Sequence, residues 1–205
     1  NDTMHAGEYR LKQHAHKSFW RWVTGWAVCI SKPSDLGYSD EGFNLPPLNI
    51  EYHRVDVPAE RGRELGKLFY DAPVSATGMW KDKKATAADR CEEARKIIHS
   101  NGSAKESWIV WCDTNDEADR LTELIPEAVE VRGSDSILEK ERKLAAFSSG
   151  QSQSIITKSE IAGFGLNWQH CRNMAFVGLS YSFEKLYQAL RRSWRYGQKH
   201  AVNAH

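Results

Sequence analysis

The stretch Ser107-Trp108-Ile109-Val110-Trp111-Cys112 places five apolar side chains in a row after a serine. A short run of this kind is typical of a strand whose two faces are both buried in a sheet. Directly after it, Asp113 or Thr114 can cap a helix, because both side chains accept hydrogen bonds from the N–H groups of a first helical turn. We therefore expect a buried strand followed by a helix over about residues 115–125.

The same order of a short apolar run and an amphipathic segment continues to residue 198. Alternation at this spacing favours a mostly parallel sheet with crossover helices, so we predict an α/β domain with helices flanking the sheet. Functional residues in such sheets usually follow the carboxyl ends of the strands. The further predicted strands are 128–131, 154–157 and 173–179, and the further predicted helices are 137–147 and a last one from about Ser182.

Composition limits the classes of protein to which the chain can belong. Its 205 residues include 28 Lys and Arg against 27 Asp and Glu, so a net charge of +1 gives no global attraction to nucleic acid. Any such binding must come from local patches. The four cysteines are widely spaced, which favours buried thiols in a reducing compartment over a disulfide scaffold. No apolar run approaches the ~18 residues of a membrane span, so we expect a cytoplasmic protein without membrane contact.

Both ends of the sequence favour a fragment of a longer protein. The chain begins at Asn1 rather than at a methionine, and it ends in a weak strand-like segment, Ala201–His205. We predict a loop near Gly78–Lys84, which suggests a domain boundary. The chain then divides into the end of a first domain with an interdomain region, 1–82, and a C-terminal domain, 83–205.

A polar stripe is predicted near the C-terminus, in Gln188-Ala-Leu-Arg-Arg192-Ser-Trp-Arg195-Tyr-Gly-Gln198. On a continuous helix, Gln188, Arg192 and Arg195 fall within roughly 60° of one another. Two guanidinium groups and a carboxamide on one face can bind phosphate oxygens, because arginine presents several donors in a fixed fork. A solvated basic helix face is the alternative. The opposite side is expected to face a core through Phe183, Leu186, Tyr187, Leu190 and Trp194.

A glycine-containing segment follows the strand predicted at 154–157: Thr157-Lys-Ser-Glu-Ile-Ala-Gly163-Phe-Gly165-Leu-Asn167-Trp-Gln169. Gly163 and Gly165 would let the backbone approach a ligand closely or adopt a positive φ. A tight turn is the alternative explanation for a single Gly-x-Gly. The segment is not a Walker A loop, because Gly-Lys-Ser/Thr is missing after the glycines.

Taken together, the two segments resemble motifs V and VI of the second RecA-like domain of superfamily 2 helicases and translocases. The resemblance is greatest to the SWI/SNF-type branch, which translocates on double-stranded DNA. That branch has Gly-x-Gly-x-Asn, matched by Gly163-Phe-Gly165-Leu-Asn167, and Gln-x-x-x-Arg-x-x-Arg-x-Gly-Gln, matched by Gln188 to Gln198. The resemblance covers residues 105–198 and, more loosely, 43–70. Glu160 stands where this branch often has arginine, and Trp168 and Gln169 depart from the usual small residues.

The resemblance implies a RecA-like three-layer fold and a role in ATP hydrolysis by a longer parent protein. ATP and Mg²⁺ would bind between this domain and an N-terminal RecA-like domain of the same parent. Arg195, and second Arg192, would be the arginine fingers, which stabilise charge in the transition state of phosphoryl transfer. Gln188 would orient the helix and bridge to the glycine segment. Gly163 and Gly165 would line the nucleotide and couple it to DNA.

The resemblance also implies contact with the DNA backbone, with double-stranded DNA a better match than RNA. Hydroxyl, amide and cationic side chains are the usual contacts to phosphate. For the two hydroxyls, capping of a helix or turn is the alternative. The nucleic-acid candidates are Thr114, Arg132, Lys158, Ser159 and Asn167.

The 205 residues lack a Walker A loop and an acid pair of the Asp-Glu-x-His kind. Without a phosphate cradle and a metal site, arginine fingers cannot hydrolyse ATP at a useful rate. We therefore expect that the chain alone binds no cofactor and is the C-terminal half of a helicase or translocase. A compact helicase of this sort would suit a phage or a mobile element. The alternative is a non-catalytic RecA-like module that binds nucleic acid or protein.

A cluster of histidines and a cluster of tryptophans near the N-terminus are the remaining candidates for a functional site. His5, His14 and His16 have no cysteine or acid at metal-site spacing, so we predict solvated histidines and no metal. Trp20, Trp22 and Trp26 could stack on bases, or they could form a core or an apolar face against another domain.

Overall fold

Strand β2 (Trp108–Cys112) lies in the interior of the sheet and is buried along its whole length. Its side chains alternate between two apolar clusters, with Val110 in one and Ile109 and Trp111 in the other. Helices contribute to both clusters, so the sheet is covered on both faces. The buried strand predicted at residues 107–112 is confirmed. The computed structural model describes residues 11–55, 76–100, 106–162 and 166–205.

Five further strands complete the sheet in the described residues. They are β1 (Leu48–Ile50), β3 (Val129–Glu130), β4 (Ser154–Lys158), β5 (Asn173–Phe176) and β6 (Val202–Ala204). Their order is β1-β6-β5-β2-β4-β3, and every neighbouring pair is parallel. The predicted α/β architecture is therefore confirmed, and the weak C-terminal segment forms an interior strand of the sheet.

The helices of the described residues are α1 (His16–Thr24), α2 (Ala76–Ala85), α3 (Ala87–Ser100), α4 (Asn115–Leu124), α5 (Ile137–Ser148), α6 (Ser159–Ala162) and α7 (Phe183–Leu190). Of the two predicted caps, Thr114 is the one that caps α4. The loop predicted near Gly78–Lys84 is wrong, because this segment lies within α2. In the described part of the chain, no helix is both long and apolar enough to cross a membrane.

Helix α7 ends at Leu190, so the prediction of one continuous helix to Gln198 is wrong beyond that point. Residues 191–198 form turns, in which the Arg192 N–H donates to Ala189 O at 3.2 Å and the Gln198 N–H to Arg195 O at 3.0 Å. Gln188 and Arg192 stay one helical turn apart, but Arg195 does not continue the predicted stripe.

The apolar side predicted for this helix is only partly buried. Leu190 is buried, and Leu186 and Trp194 pack against the core, as predicted. Phe183 is 78% exposed and Tyr187 43% exposed, so their predicted core positions are wrong. Their rings stack on each other at 6.1 Å instead.

The chain divides into two compact units, 1–44 and 45–205. In the first unit, Trp20, Trp22 and Trp26 are 58%, 62% and 65% exposed, which excludes core positions for them among the described residues. Base stacking and an apolar interface remain predictions for these rings. The second unit contains the whole described sheet, including β1. The functional division between residues 82 and 83 stays a prediction.

A buried carboxylate joins the carboxyl ends of β2 and β5. Glu117 is fully buried in α4, and its Oε2 accepts hydrogen bonds from the backbone N–H groups of Asp113 at 2.8 Å and Thr114 at 3.1 Å. Its Oε1 pairs with Arg90 Nη2 at 2.7 Å, and Arg90 also donates to the Val177 carbonyl. The two loops that follow these neighbouring strands are therefore fixed relative to each other.

Gly178→Ala is expected to lower the free energy of unfolding by about 1–3 kcal/mol, the usual cost of overpacking. A Cβ at Gly178 would lie 2.2 Å from Glu117 Oε2 and 2.9 Å from the Asp113 backbone nitrogen. Chemical denaturation of the 205-residue chain measures the change. Gly133→Ala is the matched control, because a Cβ there meets nothing within 4 Å. Equal effects of the two substitutions would contradict the prediction.

Candidate functional site

The turns after α7 are built around a buried arginine. Arg192 is 6% exposed, although it carries a charge. Its Nε donates to Gln188 O at 3.2 Å, its Nη1 to Leu166 O at 3.0 Å and its Nη2 to Gln188 Oε1 at 3.3 Å. A buried guanidinium needs such partners to offset its lost hydration. Arg192 therefore connects the end of α7 to the segment that follows the predicted glycine loop.

Further hydrogen bonds join the same two segments. The Trp168 N–H donates to Arg192 O at 2.9 Å, and Ser193 Oγ donates to Trp168 O at 3.2 Å. Gln198 Nε2 donates to Gln169 O at 2.9 Å. The segments that match motifs V and VI are thus brought together in space over their described parts. Gly163 and Gly165 lie outside the described residues.

Gly197 and Gln198 complete this turn, although no site role was predicted for either residue. Gly197 has a φ of 90°, and a Cβ there would lie 2.8 Å from Gln169 Nε2. Both facts favour glycine at this position. Gln198 is buried, and its Oε1 accepts from the backbone N–H groups of Lys199 at 2.9 Å and His200 at 3.1 Å. The Gly-Gln pair that ends the motif is the signal that could have identified them.

The charges of Arg192 and Arg195 act on each other. Burial lowers the pKa of Arg192, and the positive charge of Arg195 lowers it further. Arg195 is partly exposed, and its guanidinium has no hydrogen bond or ion pair among the described residues. A bound anion would offset the repulsion between the two guanidinium groups. The arrangement therefore suits a phosphate group beside Arg195.

Gln188 was predicted to bridge directly to the glycine segment, but among the described residues it contacts that segment only through Arg192. Its carbonyl and its side-chain oxygen both accept from Arg192, which in turn reaches Leu166. The connection predicted for Gln188 therefore runs through Arg192. Gln188 orients that guanidinium from one helical turn away.

Four of the five nucleic-acid candidates lie at the carboxyl ends of three adjacent strands. Thr114 follows β2, Arg132 follows β3, and Lys158 and Ser159 lie at the end of β4. Asn167 lies elsewhere, because its two neighbours along the chain, residues 166 and 168, both bond to Arg192. Its Nδ2 donates to Gln169 Oε1 at 3.2 Å.

Two of the candidate side chains at the carboxyl ends of these strands, Arg132 and Lys158, already have protein partners. Arg132 Nε lies 2.6 Å from Glu130 Oε1 and its Nη2 lies 2.5 Å from Asp119 Oδ1. These hydrogen bonds, first that to Glu130, raise the pKa of Arg132. Lys158 Nζ donates to the neutral Asn115 Oδ1 at 2.8 Å, and no acid pairs with it in the part of the chain that the structure describes.

The hydroxyl of Thr114 has the capping role that was its alternative explanation. Thr114 Oγ1 accepts from the backbone N–H of Glu117 at 3.2 Å. Ser159 begins the short helix α6, with Glu160 in the same turn bonded to Lys185 of α7. Contact of either hydroxyl with nucleic acid stays a prediction.

Comparison with known families identifies the fold to which these motifs belong. The family described as Helicase conserved C-terminal domain matches residues 89–197, which is more than half of the chain. The chain belongs to this family. The region that matches the helicase C-terminal domain includes the four residues at the carboxyl edge of the sheet. It also includes both hydrogen-bonded segments, except for Gln198. No curated protein matches the chain.

The chain is also similar to solved structures. One is described as the crystal structure of the C-terminal part of the Fun30 ATPase domain, with 18% identity, a TM-score of 0.50 and coverage of 57% of this chain and 40% of that chain. Another is the C-terminal domain of the DEAD-box protein Dbp5, with 17% identity, a TM-score of 0.48 and coverage of 57% of this chain and 69% of that one. The first of these likenesses supports the RecA-like fold of this helicase C-terminal domain.

Proposed function

We propose that this helicase C-terminal domain is the second RecA-like half of an ATP-dependent DNA translocase of the SWI/SNF-type branch. Its partner would be an N-terminal RecA-like domain of the same parent protein, with ATP and Mg²⁺ bound between the two. The branch assignment is supported by the sequence match of Gly163 to Asn167 and of Gln188 to Gln198.

One observation supports this function most strongly: the hydrogen-bonded unit formed by residues 166–169 and 192–198. A solvated basic face would not need a buried Arg192 with bonds to two separate segments. In this unit, one arginine is fixed within the fold and the next, Arg195, is left with an unpaired positive charge among the described residues. That combination is what an arginine finger requires, a cation held in place but available to a ligand.

The roles of the residues follow from these contacts. ATP, when bound, supplies the γ-phosphate whose transfer to water releases free energy. Arg195 would contact that phosphate and stabilise the negative charge that develops on it. Arg192 would position the turn by its bonds to Leu166 and Gln188. A movement of Arg195 with the nucleotide would thus be transmitted to residues 166–169.

Contact with DNA is proposed at the carboxyl ends of β2, β3 and β4. Lys158 is the strongest candidate, because its ammonium pairs with an amide oxygen rather than with an acid. Arg132 would exchange Asp119 for a DNA phosphate, since that ion pair is exposed and therefore weak. Asn167 would instead contact DNA beside the turns of residues 191–198, which we call the arginine turn.

The test compares ATP hydrolysis by the purified 205-residue chain with hydrolysis by the two-domain parent. The chain alone is expected to show no magnesium-dependent turnover, because it lacks a Walker A loop and the acid pair. The parent is expected to hydrolyse ATP and to be stimulated by double-stranded DNA more than by RNA.

Each other outcome has a defined meaning. Turnover by the chain alone, lost in Arg195→Ala, would contradict the assignment as half of an ATPase. Stimulation by RNA alone would exclude the SWI/SNF-type branch. A parent that binds nucleic acid but never hydrolyses ATP would establish the non-catalytic module instead.

A further inference from the structure

Three potential metal ligands meet at the carboxyl ends of β1 and β6, away from the arginine turn. His53 Nε2 lies 3.1 Å from His205 Nδ1, and His205 Nδ1 lies 3.6 Å from Glu51 Oε2. One ligand atom from each residue lies within 4.8 Å of the others, and no second group of this kind occurs in the described ranges. Ligand atoms that share a tetrahedral zinc ion at ~2.0–2.2 Å are themselves roughly 3.3–3.5 Å apart.

The sheet holds two of the three ligands in place through their backbones. The Glu51 N–H donates to Ala204 O at 2.8 Å, and the His205 N–H donates to Met174 O at 2.9 Å. Glu51 and His53 lie two residues apart after β1, and their ligand atoms reach the same point. The register of β1 against β6 brings that point to His205.

His205 lies in a largely buried environment beside an aromatic ring. Its side chain is 12% exposed, and its ring packs against Trp108 with centroids 5.7 Å apart. Glu51 is 67% exposed and supplies a negative charge at the solvent side.

We propose that Glu51, His53 and His205 bind one Zn²⁺ ion, with water as the fourth ligand. Two imidazoles and a carboxylate are ordinary zinc ligands, and an open fourth position is typical of sites with three protein ligands. The ion would lie at the wall of a cavity of about 420 Å³, which these three residues line together with Tyr52 and Phe176. It would fasten the chain after β1 to the end of β6.

Titration of the metal-free 205-residue chain with ZnCl₂, followed by calorimetry, tests the site. One equivalent is expected to bind, and the melting temperature is expected to rise with zinc concentration, because the ion binds the folded state. His53→Ala is expected to weaken the binding at least tenfold, since even outer-shell partners of metal ligands cost ~10–100-fold. Glu51→Gln, at an exposed position that should not impair folding, is expected to weaken it as well.

His99→Ala is the matched control, because His99 also pairs with a glutamate, Glu127 at 3.1 Å, but has no third ligand among the described residues. It should leave the zinc affinity and the zinc-dependent melting shift unchanged. The proposal is overturned if wild type binds no zinc at micromolar concentration. It is also overturned if His53→Ala and Glu51→Gln retain the full affinity, which would assign the zinc to other groups such as the exposed Cys29.

Discussion

Arg195→Ala is expected to lower the kcat of the DNA-stimulated ATPase of the two-domain parent by about a thousandfold or more, the usual contribution of an arginine finger. The effect should fall on catalysis and spare folding, because the Arg195 guanidinium has no protein partner among the described residues. Steady-state ATP hydrolysis at saturating DNA, together with a melting curve of each variant, measures both quantities. Arg195→Lys is expected to recover little, since a point charge lacks the planar fork of arginine.

Arg191→Ala is the matched control for this substitution. Arg191 lies in the same turn, but its guanidinium stacks on Tyr187 and Trp194, with centroid distances of 5.7 and 5.5 Å. It should change kcat by no more than a few-fold. Arg192→Ala differs from both variants, because loss of a buried, bonded arginine should lower the melting temperature as well as the activity. A normal kcat in Arg195→Ala would remove the finger assignment.

Trp168→Ala is expected to lower the free energy of unfolding of the chain by about 3–5 kcal/mol, as for other fully buried aromatic residues. Trp168 has no exposed surface, and its ring packs edge-on against Phe147 at 5.1 Å and tilted against Trp111 at 6.2 Å. Its Nε1 donates to Ser148 Oγ at 3.0 Å. The substitution would therefore leave a cavity between α5 and the sheet.

Urea denaturation of the 205-residue chain measures this loss. Trp80→Ala is the control, because Trp80 is 55% exposed on α2 and contacts only the Lys84 ammonium among the described ring contacts. Its effect should stay within about 1 kcal/mol. A loss below 1 kcal/mol for Trp168→Ala would show that this side chain is not part of the core. It would then be available to DNA, at a position where the related motif has a small residue.

The fold could be predicted because each interior strand is a local signal. The apolar run at residues 108–112 is buried on both faces and needs no knowledge of its neighbours to be recognised. The cap of α4 is equally local, since Thr114 and Glu117 lie three residues apart. Sequence periodicity failed at the end of α7, where Arg192 bonds to Leu166, 26 residues away. No local pattern contains that contact.

The candidate site was recognisable as motifs, but its geometry was not. Arg192 and Arg195 were both expected on one helix face, with Arg195 the first candidate finger and Arg192 the second, whereas the structure buries Arg192 and leaves Arg195 partly exposed. The proposed zinc ligands could not be predicted from the sequence for the same physical reason. Glu51 and His205 meet only through the register of two strands that are far apart in sequence. The expectation of no metal considered only histidines that are close together along the chain.

The position of β6 between β1 and β5 also has a consequence for the order of synthesis. Asn49 of β1 bonds to Asn203 of β6, 154 residues later. A ribosome therefore produces β1 long before its only partner strand in the described sheet. The pairing of β1 with β6 has to wait until residues 202–204 have been synthesised, because contact at this sequence separation needs the whole intervening chain. Completion of the described sheet is thus among the last events in the synthesis and folding of this domain.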